Sequence, residues 1–424
     1  MAKEKVDLLI ENASELVTLR GGTKRPLLGE KMRDLGIIKG GSIAVRNGRI
    51  VSVAKTREIK GKFESEETID ASGKLVMPSF VDPHTHLVFA GSREDEFEMR
   101  IQGSTYMEIL EKGSGILKTV NETRKASKEK LLKNCRKTLD IMLRHGTTTM
   151  EAKSGYGLTT KDEIKCLEVM KLLAQEHPID IVRTFLGAHA IPVEYKDKAD
   201  EYVNLVINEM VPAVTSRRLA EFCDVFCEKG VFSVEQSRRI LLSGRKHGLL
   251  PKLHADEMTR LGGAELAAEM RAVSADHLLF ASDNGLRAMA KQGTVAVLLP
   301  GASFSLMMNR YADARKIIQL GVPVALGTDY NPSCWVENEQ TVIALACREM
   351  RMTSAEAIVA TTVNAAHAVN RAQNIGTLEP YKKADIIVLD VPNQKFLGYR
   401  FGVNLVDKVI KEGKLVVDEG VISE

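Results

Sequence analysis

The feature that most constrains this chain is a repeat of form. Between about residues 76 and 376, short apolar strand-like runs alternate with longer amphipathic stretches. Eight strand candidates are visible: KLVMPSFVDPHTH, TTTMEAKSG, IVRTFLGAHAI, AEFCDVFCE, PKLHADE, AVSADHLLF, TVAVLLP and VPVALGTD. Between them, KEKLLKNCRKTLDIMLRHG, KDEIKCLEVMKLLAQEH and VEQSRRILLSGRKHG place apolar residues three and four apart, the period of a helix with one buried face. Strand–helix alternation of this kind forms a parallel sheet, and eight units over roughly 300 residues predict a closed (β/α)8 TIM-like barrel. A doubly wound open sheet is the alternative. It is disfavoured because no Gly-rich dinucleotide fingerprint follows an early strand.

The two ends have a different texture. Residues 1–75 and 377–424 are built of short β segments with turn signals. Asn47-Gly48 between apolar runs predicts a hairpin. Neither end is long enough to form a complete domain. They are therefore expected to pair into one small β-sandwich around the 76–376 barrel.

Composition excludes several roles. With 59 Lys+Arg against 56 Asp+Glu the charge is nearly balanced, which gives no footing for nucleic acid or a membrane surface. The longest uncharged stretch, Gln292 to Asn309, is broken by Gly293, Pro300 and Gly301 and does not predict a membrane span. The N-terminus lacks the apolar core of a signal peptide. The six cysteines are scattered, and Cys223 and Cys227 have no second pair nearby, so a structural role and a reducing cytoplasm are expected.

Five of the nine histidines fall at predicted strand ends: His84 and His86, His189, His254 and His277; Asp329 ends the eighth strand. Barrel strands converge at their C-terminal ends, where active sites form. His84 and His86, two apart, share one face of an extended chain. With His254 and Asp329 they make a nitrogen and oxygen set suited to a zinc or iron ion that keeps room for water. Beside such a centre, Glu257 is a candidate proton shuttle, and His277 could orient or deprotonate the water. Lys153 could carry a carbamate bridging a second metal, but no further ligand set is evident, and one metal is expected.

The phrase MPSFVDPHTH, a β-rich segment before it and GTLEPYKKADIIVLD after the barrel resemble the metal-dependent amidohydrolase superfamily. More narrowly, HTHLVFAGSREDEFEMRIQGSTYMEI, TTTMEAKSGYGL, FLGAHAIP, DVFCEKGVFS, LHADE, SADHL and GTDYNP resemble the imidazolonepropionase family over nearly the whole chain. That resemblance implies hydrolysis of the cyclic amide of 4-imidazolone-5-propanoate to N-formimino-L-glutamate, in histidine degradation. It implies one Zn or Fe ion per chain on His84, His86, His254 and Asp329, and a homodimer. Arg93, Tyr106, Tyr156 and His189 are implied to surround the substrate, with Arg93 holding its propionate by two parallel hydrogen bonds. Glu257 and His277 are implied near the reacting carbonyl, with His277 or Asp329 taking the water proton. Asn331, Ser333 and Cys334 are implied to contact the product. The chain departs from the family pattern at Gly113-Ser114-Gly115-Ile116 and at Ser333-Cys334-Trp335. A purine or pyrimidine deaminase, a formimino-group hydrolase and a non-catalytic relative are the competing readings.

Overall fold

In a computed structural model, which describes residues 3–103 and 115–423, eight parallel strands form one sheet in which each strand pairs with the next in sequence. They are β1 (Phe80–Asp82), β2 (Thr147–Lys153), β3 (Asp180–Ala188), β4 (Phe222–Cys227), β5 (Leu250–Ala255), β6 (Ser274–His277), β7 (Val295–Leu298) and β8 (Val324–Leu326). Helices follow the strands and cover the sheet. β2 is buried at every residue, as a barrel strand sealed on both faces should be. In the helix Lys128–Arg144, Leu131, Cys135, Leu139 and Met142 form the buried stripe, and Ser127 accepts the Lys130 N–H at its start. Ser233 and Gln236 close a capping box on the helix Val234–Lys246. Both helices lie where apolar periodicity predicts them. Cys223 and Cys227 are buried free thiols.

The sheet closes just beyond β1 and β8. Thr85 bridges Tyr330, the Asp329 N–H donates to the His84 carbonyl at 3.0 Å, and the His86 N–H donates to the Tyr330 carbonyl at 2.8 Å. The first predicted strand is in fact divided. Leu75–Pro78 belongs to a different sheet, and β1 is only Phe80–Asp82. His84 and His86 therefore lie past the strand, not within it, and keep the two-residue periodicity because the closing bridge holds them extended.

That other sheet has six strands. Glu15–Leu16 and Leu75–Pro78 join Ile386–Leu389, Val406–Lys411, Lys414–Asp418 and Val421–Ile422, with Leu75 opposite Leu389 and Pro78 opposite Ile386. A four-stranded sheet of Arg49–Lys55, Gly41–Arg46, Leu8–Ala13 and Glu67–Asp70 packs on it. One apolar cluster contains Leu8, Ile10, Ile43 and Val45 from the second sheet and Val76, Ile386, Val388 and Ile410 from the first. The Asn47-Gly48 turn is left-handed at both residues, with φ of 52° and 71°. It presses on the C-terminal hairpin so closely that a Cβ on Gly48 would stand 2.8 Å from the Glu412 carbonyl oxygen. Among the described residues no helix is long and apolar enough to cross a membrane.

We propose that the two chain ends are one folding unit. Deleting residues 377–424 removes four strands of the six and uncovers Val76 and the inner face of the four-stranded sheet. The truncated chain is expected to aggregate on expression, as read by size-exclusion chromatography. A soluble, active truncated barrel would contradict the proposal.

Candidate metal centre and active site

The segments after β1 and β8, with His254 from within β5, bring four side chains together. His84 Nε2 lies 3.4 Å from Asp329 Oδ1, and His86 Nε2 lies 3.5 Å from the same oxygen. His254 Nε2 lies 3.4 Å from His86 Nε2. Ligands about 2.0–2.1 Å from a tetrahedral ion stand about 3.3–3.4 Å apart, so this spacing fits a first-row metal. His84 Nε2 and Asp329 Oδ1 are buried and have no hydrogen-bond partner. Lone pairs facing one another in a dry pocket repel unless a cation lies between them. Three imidazole nitrogens and one carboxylate are also the chemistry that zinc or iron takes.

A second layer fixes this geometry. The His84 Nδ1–H donates to Asp276 Oδ2 at 2.6 Å, and His254 Nδ1 lies 3.0 Å from Asp224 Oδ2. Asp276 holds the far nitrogen of His84 and Asp224 lies against that of His254, so that each Nε2 turns inward with its lone pair free. Both carboxylates are gripped by Lys153, whose Nζ is 2.8 Å from Asp224, 3.3 Å from Asp276 and 2.9 Å from Glu151. Lys252 Nζ closes on Glu151 at 2.9 Å, and all these side chains are fully buried. Burial disfavours the Lys153 ammonium, but Asp224, Glu151 and Asp276 outweigh it and raise the pKa above the usual lysine range. A carbamate needs the neutral amine, whereas these contacts favour the Lys153 cation. Sequence reading missed Asp224, Asp276, Glu151 and Lys252. The available signal was a charged residue inside an otherwise apolar barrel strand.

Above the candidate ligands, His277 Nε2 lies 3.6 Å from Glu257 Oε2. Burial, reinforced by the nearby Asp329 charge and offset in part by His254, pushes the Glu257 carboxyl up to about 8. Burial, then His254 and Lys153, hold His277 well below the usual imidazole range and keep it neutral. His277 has a φ of 75° and Asp329 a φ of 51°, a left-handed backbone that non-glycine residues hold only where the surroundings impose it.

The opposite wall carries Arg93. Its Nε donates to Thr119 Oγ1 at 2.9 Å and its Nη1 to Ser333 Oγ at 2.8 Å, while Nη2 is buried without a hydrogen-bond partner among the described residues. The expected two-pronged grip thus has one prong open, because Ser333 occupies the other. Tyr156 is buried beside Arg93 and His86. The His189 ring stacks on His86 at 4.8 Å, and its Nδ1–H donates to the Gly155 carbonyl at 3.1 Å. Asn331 lies in the same wall, but its side chain is used locally: it accepts the Ser333 N–H at 2.8 Å and donates to the Asp329 carbonyl at 2.8 Å. Cys334 is buried, with Sγ 3.4 Å from the Thr328 carbonyl oxygen. Arg93, Tyr156, His189, Asn331, Ser333 and Cys334 line one cavity of about 800 Å³, which His86, His254, Glu257, His277 and Asp329 also border. Tyr106, Gly113 and Ser114 lie outside the described residues.

Comparison with known proteins agrees with this architecture. Residues 252–416 match the amidohydrolase family model. The chain is 54% identical over 418 residues to the imidazolonepropionase of Geobacillus kaustophilus (strain HTA426), covering 97% of this chain and 98% of that one. It is 52% identical over 419 residues to that of Alkaliphilus oremlandii (strain OhILAs), covering 98% and 99%. Among solved structures, a zinc-bound adenosine deaminase of Xanthomonas campestris superposes with a TM-score of 0.75 at 18% identity, covering 100% of this chain and 95% of that one. A 5-methylcytosine deaminase of Klebsiella pneumoniae superposes with a TM-score of 0.73 at 18% identity, covering 98% and 99%. At that identity the two deaminases speak for the fold alone. Near-complete coverage at more than half identity says more: the chain belongs to the imidazolonepropionase family of the amidohydrolases.

Proposed function

We propose that His84, His86, His254 and Asp329 hold one zinc or iron ion per chain, and that the cavity beside them binds 4-imidazolone-5-propanoate with its ring at the ion and its propionate on Arg93. The enzyme hydrolyses the cyclic amide of that compound to N-formimino-L-glutamate, a step of histidine degradation. The observation that carries the assignment of parts is a pairing across one cavity: converging ligand atoms on one wall and an unpartnered, buried guanidinium nitrogen on the other. A pocket for an uncharged base has no use for that cation.

When bound, the ion supplies a Lewis acid for the ring carbonyl and a water whose pKa is brought near 7. The chain's own groups do the remaining work. Arg93 Nη2 and the Tyr156 hydroxyl anchor the propionate. His189, stacked on His86, forms the side wall against the ring. Neutral His277 and Asp329 are the two groups beside the attacking water that can take its proton. Glu257, whose carboxyl burial pushes up to about 8, can give a proton to the departing ring nitrogen. The carbon–nitrogen bond breaks, the ring carbonyl carbon becomes a carboxylate, and the nitrogen leaves as the formimino N–H. Asn331, Ser333 and Cys334 flank the product, Ser333 through its hydroxyl and Asn331 by shaping the turn.

Three outcomes are expected. Chelation should abolish hydrolysis, and about one equivalent of Zn or Fe per chain should restore it, as read by metal analysis and loss of substrate absorbance; full activity in metal-free protein would overturn the reading. Asp276→Asn keeps the shape but removes the charge behind His84, and metal affinity should fall about 10–100-fold. Arg93→Met should lower kcat/KM about tenfold to a hundredfold for the propionate substrate, the loss of a charged hydrogen bond of about 1.5–3 kcal/mol. It should barely affect a ring analogue lacking the carboxylate and leave metal content unchanged. Equal losses with both substrates would make Arg93 structural.

A further inference from the structure

One buried carboxylate in the cavity wall takes no part in the chemistry described so far. Glu228 follows β4 and is 3% exposed. Its side chain reaches across to the loop after β5. There Oε2 accepts the backbone N–H of Met258 at 2.9 Å and of Thr259 at 3.3 Å. Oε1 accepts the Thr259 hydroxyl and, at 2.8 Å, the N–H of Lys229. Four donors on one carboxylate is near its full capacity. The two backbone donors of the β5 loop belong to the residues that immediately follow Glu257. On the other side of Glu257, Asp256 sits at a φ of 50° and turns its carboxylate to the N–H groups of Leu261, Gly262, Gly263 and Ala264. Glu257 is thus the one residue of this turn whose carboxylate faces the cavity, while the carboxylates around it are spent on backbone.

We propose that Glu228 is a positioning residue: it clamps the Met258–Thr259 backbone so that the Glu257 carboxyl is held at the reacting nitrogen. The inference rests on the proton-transfer role given to Glu257 above. Glu228 directly follows a barrel strand, whereas the 256–262 loop has no strand or helix of its own. Without the clamp, the peptide units after Glu257 lose their acceptors and the loop can shift by a fraction of an ångström or more. A general acid displaced by about 1 Å can cost about a hundredfold in rate. Neither the ion site nor the Arg93 wall is touched by this bridge, so binding should be spared.

The test is a double-mutant cycle on kcat in the metal-loaded enzyme, with Glu228→Ala, Glu257→Gln and the double variant. Glu228→Ala alone should lower kcat about tenfold to a hundredfold. KM should stay within about threefold and metal content unchanged, since the bridge contacts neither substrate anchor nor ligand. In the Glu257→Gln background the same change should cost less than about twofold, because there is no acid left to misplace. Glu228→Gln, which keeps one acceptor oxygen, should recover part of the loss. If Glu228→Ala does not fold, Glu228→Gln and Thr259→Val, which removes only the hydroxyl donor, run the same cycle with smaller factors. Equal losses with and without Glu257, or no loss from any of these changes, would overturn the inference. If Glu257→Gln by itself leaves kcat unchanged, the role given to Glu257 is what fails.

Discussion

A lysine ammonium sealed inside the barrel organises the functional end of this molecule. Lys153 Nζ touches Glu151, Asp224 and Asp276, and none of these groups meets water. Isolating any one of these charges would be prohibitive; removing one partner of a buried pair costs about 3–5 kcal/mol. The arrangement persists because each charge is matched and each carboxylate has a further task. Asp276 holds His84, Asp224 faces His254, and Glu151 ties in Lys252. Three carboxylates against two ammoniums leave one negative charge, directed at the back of two imidazoles. That charge makes their inward nitrogens better donors to a cation. The ionic layer that links β2, β4, β5 and β6 therefore also supports the candidate metal pocket.

The closing seam of the barrel is the second constraint. β1 and β8 are short, three residues each, and pair beyond their ends through Thr85 and Tyr330. His84, His86 and Asp329 all lie in that seam. Asp82 reinforces it, accepting from the Thr328 hydroxyl at 2.6 Å and from the Thr328 N–H at 3.2 Å. Closing the barrel and assembling three of four candidate ligands are thus one structural event. Strain accompanies it, since Asp329 is held left-handed. The fourth, His254, comes from inside β5 on the opposite side of the barrel, so the cluster spans the barrel mouth.

Division of labour in the cavity follows from burial. On one wall, the cost of burial is outweighed by Lys153 and His254, which hold the Asp224 carboxyl well below the usual carboxylate range. Higher in the cavity, burial, reinforced by the Asp329 charge and only partly offset by His254, pushes the Glu257 carboxyl up to about 8. Two carboxyls of the same chemistry, Asp224 and Glu257, are thus shifted in opposite directions by their surroundings. Arg93 shows a like division: two of its nitrogens are fixed to Thr119 and Ser333, and the third has no hydrogen-bond partner among the described residues.

Much of this was legible in the residues. Eight apolar runs separated by helical periods fix the barrel, because each pattern has one way to bury its face. Asn47-Gly48 fixes a hairpin through the left-handed backbone it accepts. His84, His86, His254, His277 and Asp329 announce themselves because strand ends of a barrel converge by geometry alone. What sequence could not supply is which buried charge faces which. Asp224 and Asp276 are spaced along the chain like any strand residues, and only the closed barrel brings them onto one lysine. The break between Leu75–Pro78 and β1 was equally hidden, since both halves are apolar and their partners lie in different sheets. Ser333 taking one prong of Arg93, and Glu228 reaching the loop after Glu257, are contacts between residues far apart in sequence. Local pattern determined the elements and the residue types at their ends. Pairing of charges in the dry interior was decided by tertiary structure, because the energy of a buried charge depends on its nearest neighbours in space.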